Sequence, residues 1–155
     1  MKRHRFAGLA LSLCLTLSCG VLPVGAVSSA TAVEAIQALG IITGDSSGNM
    51  NLTATVTRAE FVTMMTAASS YKDSIGTGSG VSLFKDVKSD HWASEYIRLA
   101  VEQGWMSGYV DGTFRPDSPI TLEEACTALL KMLGYDSSTL AGSYPSAQLS
   151  KAASV

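Results

Sequence analysis

Apolar residues recur at helical spacing in three stretches of the chain, residues 33–39, 92–101 and 125–132. Residues three and four positions apart share one face of an α-helix, so each stretch predicts an amphipathic helix. The apolar positions are Val33, Ile36 and Leu39, then Trp92, Tyr96, Ile97, Ala100 and Val101, and finally Ala125, Ala128, Leu129 and Met132. A further helix is predicted from Thr57 to about Tyr71. The pattern therefore predicts a mostly helical protein.

The ends of these helices carry residues that typically start or stop a helix. The spacing of a capping box occurs twice. In a capping box, the side chains of a threonine and of a glutamate three residues later each accept from the other's backbone N–H. The two pairs are Thr57 with Glu60 and Thr121 with Glu124. Ser89 or Asp90 is predicted to cap the helix over 92–101. Glycines, which adopt a left-handed conformation easily, follow three of the helices at positions 40, 104 and 134.

The chain resembles itself when it is shifted by 64 residues. The matching pairs are Gly40 and Gly104, Gly44 and Gly108, Gly48 and Gly112, Thr57 and Thr121, Glu60 and Glu124, and Thr63 and Thr127. A repeat near this period indicates supersecondary units that bury their faces against one another. Each unit is predicted to be a helix, a loop and a second helix, with turn residues such as Gly108 and Pro116 in the loop.

The first 26 residues have the layout of a secretory signal peptide. A basic start, Lys2, Arg3 and Arg5, precedes an uncharged apolar run over 6–24, and small residues follow near Ala26. A transmembrane anchor is the alternative, since the run is about long enough to span a bilayer. A lipoprotein signal is a weaker alternative. We expect contact with a membrane only during export.

Removing this segment changes the charge and the chemistry that the chain can perform. It leaves 8 of the 11 basic residues against 13 acidic ones, a net charge of −5, which argues against nucleic-acid binding. Cys126 alone remains of the three cysteines and is predicted to be a small buried apolar residue. With His91 as the only remaining histidine, we expect no metal site, no cofactor and no catalytic residues.

The second unit resembles the S-layer homology repeat. The residues that carry the resemblance are Phe84-x-Asp86-Val87, His91-Trp92-Ala93, Tyr96-Ile97, Gly104-Trp105, Ser107-Gly108-Tyr109, Asp111-Gly112-Thr113-Phe114-Arg115-Pro116 and Ile120-Thr121. The first unit contains the related motif Val56-Thr57-Arg58-Ala59-Glu60-Phe61. The resemblance implies a pseudo-threefold, mostly helical bundle that binds secondary cell-wall polysaccharide, often pyruvylated, in grooves between repeats.

The resemblance also implies which residues contact the polysaccharide. They are Arg58 with Gly44 and Asp45 from the first unit, and Trp105, Ser107, Gly108, Tyr109 and Asp111 from the second. An arginine suits a carboxylate because its planar guanidinium offers two parallel donors. Leu122 occupies the matching position of the second unit and cannot serve in this way. The aromatic rings of Trp105 and Tyr109 could stack on a sugar or fill the gap between helices, whereas Trp92 is predicted to pack in the core.

We therefore predict a signal peptide over 1–26, a front-shortened repeat over 27–72, a Gly/Ser linker over 73–82, a second repeat over 83–136 and the start of a truncated third over 137–155. The predicted function is non-covalent anchoring of a secreted protein to the cell wall or S-layer through its polysaccharide. The alternatives are the N-terminal fragment of a longer exoenzyme or S-layer protein, and a structural envelope protein that binds other envelope subunits.

Overall fold

A computed structural model describes residues 28–45, 47–76 and 81–155. The helices are α1 (Ser29–Ala38), α2 (Arg58–Ala67), α3 (Ser94–Glu102), α4 (Leu122–Met132) and α5 (Ser146–Ala152), with a 3-10 turn at Ser137–Thr139 before α5. Isolated bridges are the only β-pairing in this part of the chain. The prediction of a mostly helical fold is confirmed. The predicted signal peptide and residues 77–80 of the predicted linker lie outside the described residues.

The helices that begin at Arg58 and Leu122 start as predicted. Thr57 Oγ1 accepts from the N–H of Glu60 at 3.2 Å, and Glu60 Oε2 accepts from the N–H of Thr57 at 2.8 Å. Thr121 and Glu124 repeat the arrangement at 3.2 and 3.1 Å. Both capping boxes are confirmed. α2 ends at Ala67 and so is shorter than the predicted extent to Tyr71.

The start of α3 differs from the prediction of a cap at Ser89 or Asp90. The helix begins at Ser94, because residues 88–94 form two successive turns, with His91 N–H donating to Lys88 O and Ser94 N–H to His91 O. His91 Nδ1 accepts the N–H of Ala93 in the second turn. The glycines that follow α1, α3 and α4 have φ of +70, +70 and +85°, which confirms their predicted role in ending helices.

The core lies between α2 and α3 and extends into the loop of the second unit. Its buried apolar residues are Ala59, Val62, Met65, Val87, Ala93, Ile97, Ala100, Trp105, Met106, Phe114 and Ala128. They come from both sequence repeats, so the two units share one core. α1 has no buried residue, and none of the described helices is long and apolar enough to cross a membrane.

The N-terminus of α2 is tied to the second unit through the backbone. The first N–H groups of a helix lack partners within the helix and need acceptors from elsewhere. Here Arg58 N–H donates to Ser118 O and Ala59 N–H donates to Pro116 O, both at 2.9 Å. Ile120 N–H donates in return to Val56 O at 2.9 Å. The helix end of one unit thus fixes the loop of the next.

The loop of the second unit is organised around Phe114 and Asp86. The carboxylate of Asp86 accepts from the backbone N–H groups of Phe114 and Arg115 at 2.8 and 2.7 Å. These bonds stabilise Arg115 in a left-handed conformation, φ +58°, that a residue with a side chain rarely adopts. A Cβ at Gly108 would lie 2.1 Å from the Phe84 ring, so only glycine fits there.

The start of the predicted third unit packs on α4. Ala147 and Gln148 of α5 are buried, and Lys151 Nζ lies 4.4 Å from the ring centroid of Tyr135. Cys126 is half-buried rather than buried as predicted, and it does not belong to the core shared by the two units.

Replacing Phe114 should destabilise both units together. Phe114 is fully buried and packs against Phe84 with ring centroids 5.4 Å apart. We expect Phe114→Ala to lower the free energy of unfolding by about 3–5 kcal/mol, since it leaves a cavity in the shared core. Urea denaturation followed by circular dichroism measures this. Val110→Ala, at a fully exposed position of the same loop, should change it by less than about 0.5 kcal/mol.

Candidate functional site

A cleft of about 250 Å³ opens where the two units meet. We call it the junction cleft, and its lining residues are Arg58, Trp105, Met106, Ser107, Gly108, Tyr109, Glu124, Thr127, Ala128, Lys131 and Tyr144. They come from the start of α2, the loop of the second unit, α4 and the segment before α5. Five of the eight residues expected to contact a polysaccharide therefore lie around one cleft.

Arg58 forms the inner wall of the junction cleft and is almost entirely buried. Its guanidinium donates to Glu124 Oε1 at 2.9 Å, to Phe114 O at 2.9 Å and to Ser107 O at 3.0 Å. Its side chain is 3% exposed, and its carbon Cζ lies 4.9 Å from the centroid of Tyr109 and 4.7 Å from that of Phe114. Three of its five N–H donors are thus committed to the protein, and these contacts join the two units.

Glu124 has a second role besides closing its capping box. While Oε2 accepts from the N–H of Thr121, Oε1 accepts from Arg58 and from the hydroxyl of Tyr109, which lies 3.1 Å away. The capping box alone was expected to explain this residue. The structure adds an ion pair whose partner is 66 residues away in the sequence, which spacing within one unit cannot reveal.

Tyr109 packs as part of the protein. Its ring lies against Arg58 and against Arg115, whose Cζ is 3.9 Å from the ring centroid. Burial raises the pKa of the Tyr109 hydroxyl, so the group stays protonated and donates to Glu124. Of the two roles considered for this ring, these contacts favour filling the gap between helices.

Trp105 is buried as well. Its ring meets Tyr71 edge-on at a centroid distance of 6.0 Å, and it is 7% exposed where it lines the junction cleft. Ser107 contributes its carbonyl to Arg58 and leaves its side chain exposed. Gly108 allows the loop to pass close to Phe84. Of these loop residues, Ser107 is the one whose side chain is open to a ligand.

Asp111 lies outside the junction cleft and holds the loop in shape. Its carboxylate accepts from the N–H and the hydroxyl of Thr113 at 3.0 and 2.6 Å and from Arg115 at 3.1 Å. The Thr113 hydroxyl bond and these further donors lower the pKa of Asp111 to about 2, so the carboxylate is ionised at all ordinary pH values. Its contacts are those of a turn residue.

Gly44 and Asp45 lie in a second cleft of about 430 Å³, separate from Arg58. We call it the Trp92 cleft, and its lining residues are Ile41, Ile42, Thr43, Gly44, Asp45, Asn49, Met50, Asn51, Ala54, Thr55, Val56, Glu60, Thr63, Met64 and Trp92. Backbone donation from Asn49, then bonds from Asn51 and Ser47, lower the pKa of Asp45 below its usual range. The expected site is thus divided between two clefts.

The two clefts are related by the 64-residue repeat. Thr43, Gly44, Glu60 and Thr63 line one of them, and Ser107, Gly108, Glu124 and Thr127, each 64 positions later, line the other. Each cleft therefore uses the loop and the second helix of its own unit. The repeat predicted from the sequence is the reason why two clefts exist.

Each cleft is lined by an exposed aromatic ring that was not predicted to be a site residue. Trp92 is 58% exposed and lines the Trp92 cleft, and Tyr144 is 60% exposed and lines the junction cleft. The prediction that Trp92 packs in the core is wrong, because α3 begins two residues later, so helical periodicity does not apply at position 92. Lys131 of α4 was also missed, since only the folded chain brings it to the loop.

The described residues contain no group of three His, Cys, Asp or Glu side chains placed to hold a metal ion. The charged groups of the junction cleft are instead one carboxylate, Glu124, and two cations, Arg58 and Lys131. Such a set can hold an anion and order a polar ligand by hydrogen bonds.

Comparison with known proteins identifies relatives along most of the chain. The model of the S-layer homology domain matches residues 24–62 and 83–126. The middle cell wall protein of Brevibacillus brevis is 31% identical over 120 residues, which cover 77% of this chain and 11% of that protein. The surface-layer 125 kDa protein of Lysinibacillus sphaericus is 37% identical over 66% of this chain and 8% of its own length. The cellulosome-anchoring protein of Acetivibrio thermocellus is 39% identical over 68% of this chain and 24% of its own length.

Removing the guanidinium of Arg58 should loosen the junction between the units. Arg58→Met keeps an unbranched apolar stem but leaves two carbonyls and Glu124, 26% exposed, without their partner. We expect Arg58→Met alone to lower the free energy of unfolding by about 2–4 kcal/mol. The double variant that also carries Glu124→Gln should lower it by less, because no unpaired carboxylate is left at the junction. Chemical denaturation of the single and double variants measures this coupling.

Arg115→Met is the matched control, because Arg115 forms a half-exposed pair with Asp111. It should cost less than about 1 kcal/mol. Equal losses for Arg58→Met and Arg115→Met would contradict the junction role of Arg58.

Proposed function

The chain belongs to the S-layer homology family, and from that membership we propose that it anchors itself to the cell wall by binding an acidic secondary wall polysaccharide in the junction cleft. It is a secreted protein of the cell envelope, as are the cell-wall and surface-layer proteins that it resembles. The chain spans 8 to 24% of the lengths of the three relatives named above. Its anchoring role is proposed for this segment alone.

The observation that carries the proposal is the charge left over at the junction cleft. Glu124 and Arg58 neutralise one another through their 2.9 Å ion pair. Lys131 lines the same cleft, is exposed, and forms no ion pair with any residue that the structure describes. The cleft therefore carries one uncompensated positive charge, which favours a ligand with a carboxylate such as a pyruvyl ketal.

The rest of the cleft suits a sugar. Tyr144 lines the same cleft as Lys131 with an exposed aromatic ring, and Ser107 and Thr127 line it with side chains that carry hydroxyl groups. Ligand sites usually combine an apolar surface with a few such polar groups. Arg58, which is paired with Glu124, would serve as a fixed inner wall of the site rather than as its free charge.

Neutralising Lys131 should weaken attachment to the wall. For Lys131→Gln we expect the dissociation constant for acidic wall polysaccharide to rise about tenfold, equivalent to about 1.4 kcal/mol. Co-sedimentation with purified wall sacculi, and calorimetry with released polysaccharide, measure it. Lys72→Gln, at an exposed lysine outside this cleft, is the matched control and should bind normally. Undiminished retention on sacculi stripped of polysaccharide would contradict the proposal.

A second candidate, self-association in the envelope, is favoured by an apolar stripe on α4. The exposed residues Leu122, Leu129 and Leu133 lie on one face of this helix and its last turn, at spacings of seven and four. Sixty-four positions earlier, Arg58 and Met65 are buried against the second unit. The same face is thus an interface in one unit and exposed in the other.

Sedimentation tests this second candidate. If the stripe joins two copies, the protein should show a dimer whose fraction grows with concentration, and Leu129→Gln combined with Leu133→Gln should restore the monomer. Leu83→Gln, at an exposed leucine off α4, should leave the dimer intact. If the protein stays a monomer at every concentration up to about 100 µM, self-association through this face is ruled out, because the dissociation constant of the dimer would then exceed the usual micromolar range.

A further inference from the structure

The Trp92 cleft differs from the junction cleft in charge. Among the residues that the structure describes, Asp45 and Glu60 are the only ionisable ones that line it, and none of its lining residues is a lysine or arginine. In the junction cleft, by contrast, Arg58 and Lys131 outnumber Glu124. Two clefts that are related by the repeat therefore present opposite charges to a ligand.

The two carboxylates of the Trp92 cleft are already engaged by the protein. Asp45 accepts from the backbone of Ser47 and Asn49 and from the side chain of Asn51, at 2.9 to 3.1 Å. Glu60 Oε2 accepts from the N–H and the hydroxyl of Thr57 at 2.8 and 2.9 Å. The donors to Asp45 stabilise its ionised form, and the two carboxylates together would repel an anionic ligand.

The remaining surface of the cleft is apolar and aromatic. Trp92 exposes its indole ring, which is held in place by the His91 ring stacked at 5.7 Å and 27°. Met50 and Met64 also line the cleft, and its neutral polar side chains are those of Thr43, Thr55, Thr63, Asn49 and Asn51. The negative face of an aromatic ring attracts the weakly positive C–H face of a neutral sugar ring, and hydroxyl groups can bond its hydroxyls.

We propose that the Trp92 cleft binds an uncharged sugar residue of the wall polysaccharide, by stacking on Trp92, while the junction cleft binds the acidic residue. This inference rests on the proposed function, since it assigns different parts of the same polymer to the two clefts. Where one polysaccharide chain reaches both clefts, binding at the second benefits from the high local concentration that the first provides.

The test compares two forms of wall oligosaccharide, the acidic form and one whose carboxyl groups have been reduced to alcohols. Nuclear magnetic resonance follows the indole N–H signals of Trp92 and of Trp105, which lines the junction cleft and so reports on that cleft separately. We expect the neutral form to shift the Trp92 signal and to protect Trp92 from quenching by acrylamide. We also expect Trp92→Ala to weaken binding of the neutral form at least tenfold.

Tyr144→Ala is the matched control variant, since Tyr144 is equally exposed but lines the other cleft. It should weaken binding of the acidic form and leave the Trp92 shift with the neutral form unchanged. If the acidic form binds in a Lys131-dependent way while the neutral form leaves Trp92 unmoved, the inference is overturned and the proposed function stands. If neither form binds the wild-type chain, both fail.

Discussion

Burying the guanidinium of Arg58 where the two repeat units meet imposes the main constraint on this fold. An isolated charge removed from water costs several kcal/mol, so a buried arginine requires a full set of partners at fixed positions. Those partners are a carboxylate of α4, two loop carbonyls and two aromatic rings. Because all of them belong to the second unit, satisfying Arg58 fixes the loop over 105–114 and the start of α4 together. The junction cleft is formed by those same elements.

Glu124 extends this constraint to the electrostatics of the cleft. Its carboxylate lies in the first turn of α4, where the helix dipole favours a negative charge, and it also faces the start of α2. The negative charge of Glu124 is therefore paired within the protein. The positive charge of Lys131, at the other end of α4, is left for a ligand. The ion pair thus fixes the geometry of the cleft, and Lys131 sets the sign of its charge.

Local features of the fold could be predicted from the sequence, whereas contacts between the units could not. The capping boxes and the glycines after helices depend on neighbours within four residues, so spacing reveals them. The partner of Arg58 lies 66 residues away, and an arginine at the start of a helix, where the dipole disfavours a cation, was instead a reasonable ligand candidate. Trp92 was misassigned because periodicity cannot show that a helix begins at Ser94 rather than a few residues earlier.

The contrast between Arg58 and Leu122 explains why the repeats are not interchangeable. They occupy the same place in the two units, yet the first is buried and paired while the second is 68% exposed. A leucine needs no carbonyl or carboxylate acceptors, so the start of α4 can be covered by an apolar surface or left in water. The charged junction and its cationic cleft therefore arise once in the described chain, and the repeat-related cleft carries only acidic charge. The proposed difference in ligand preference between the clefts rests on this difference in charge.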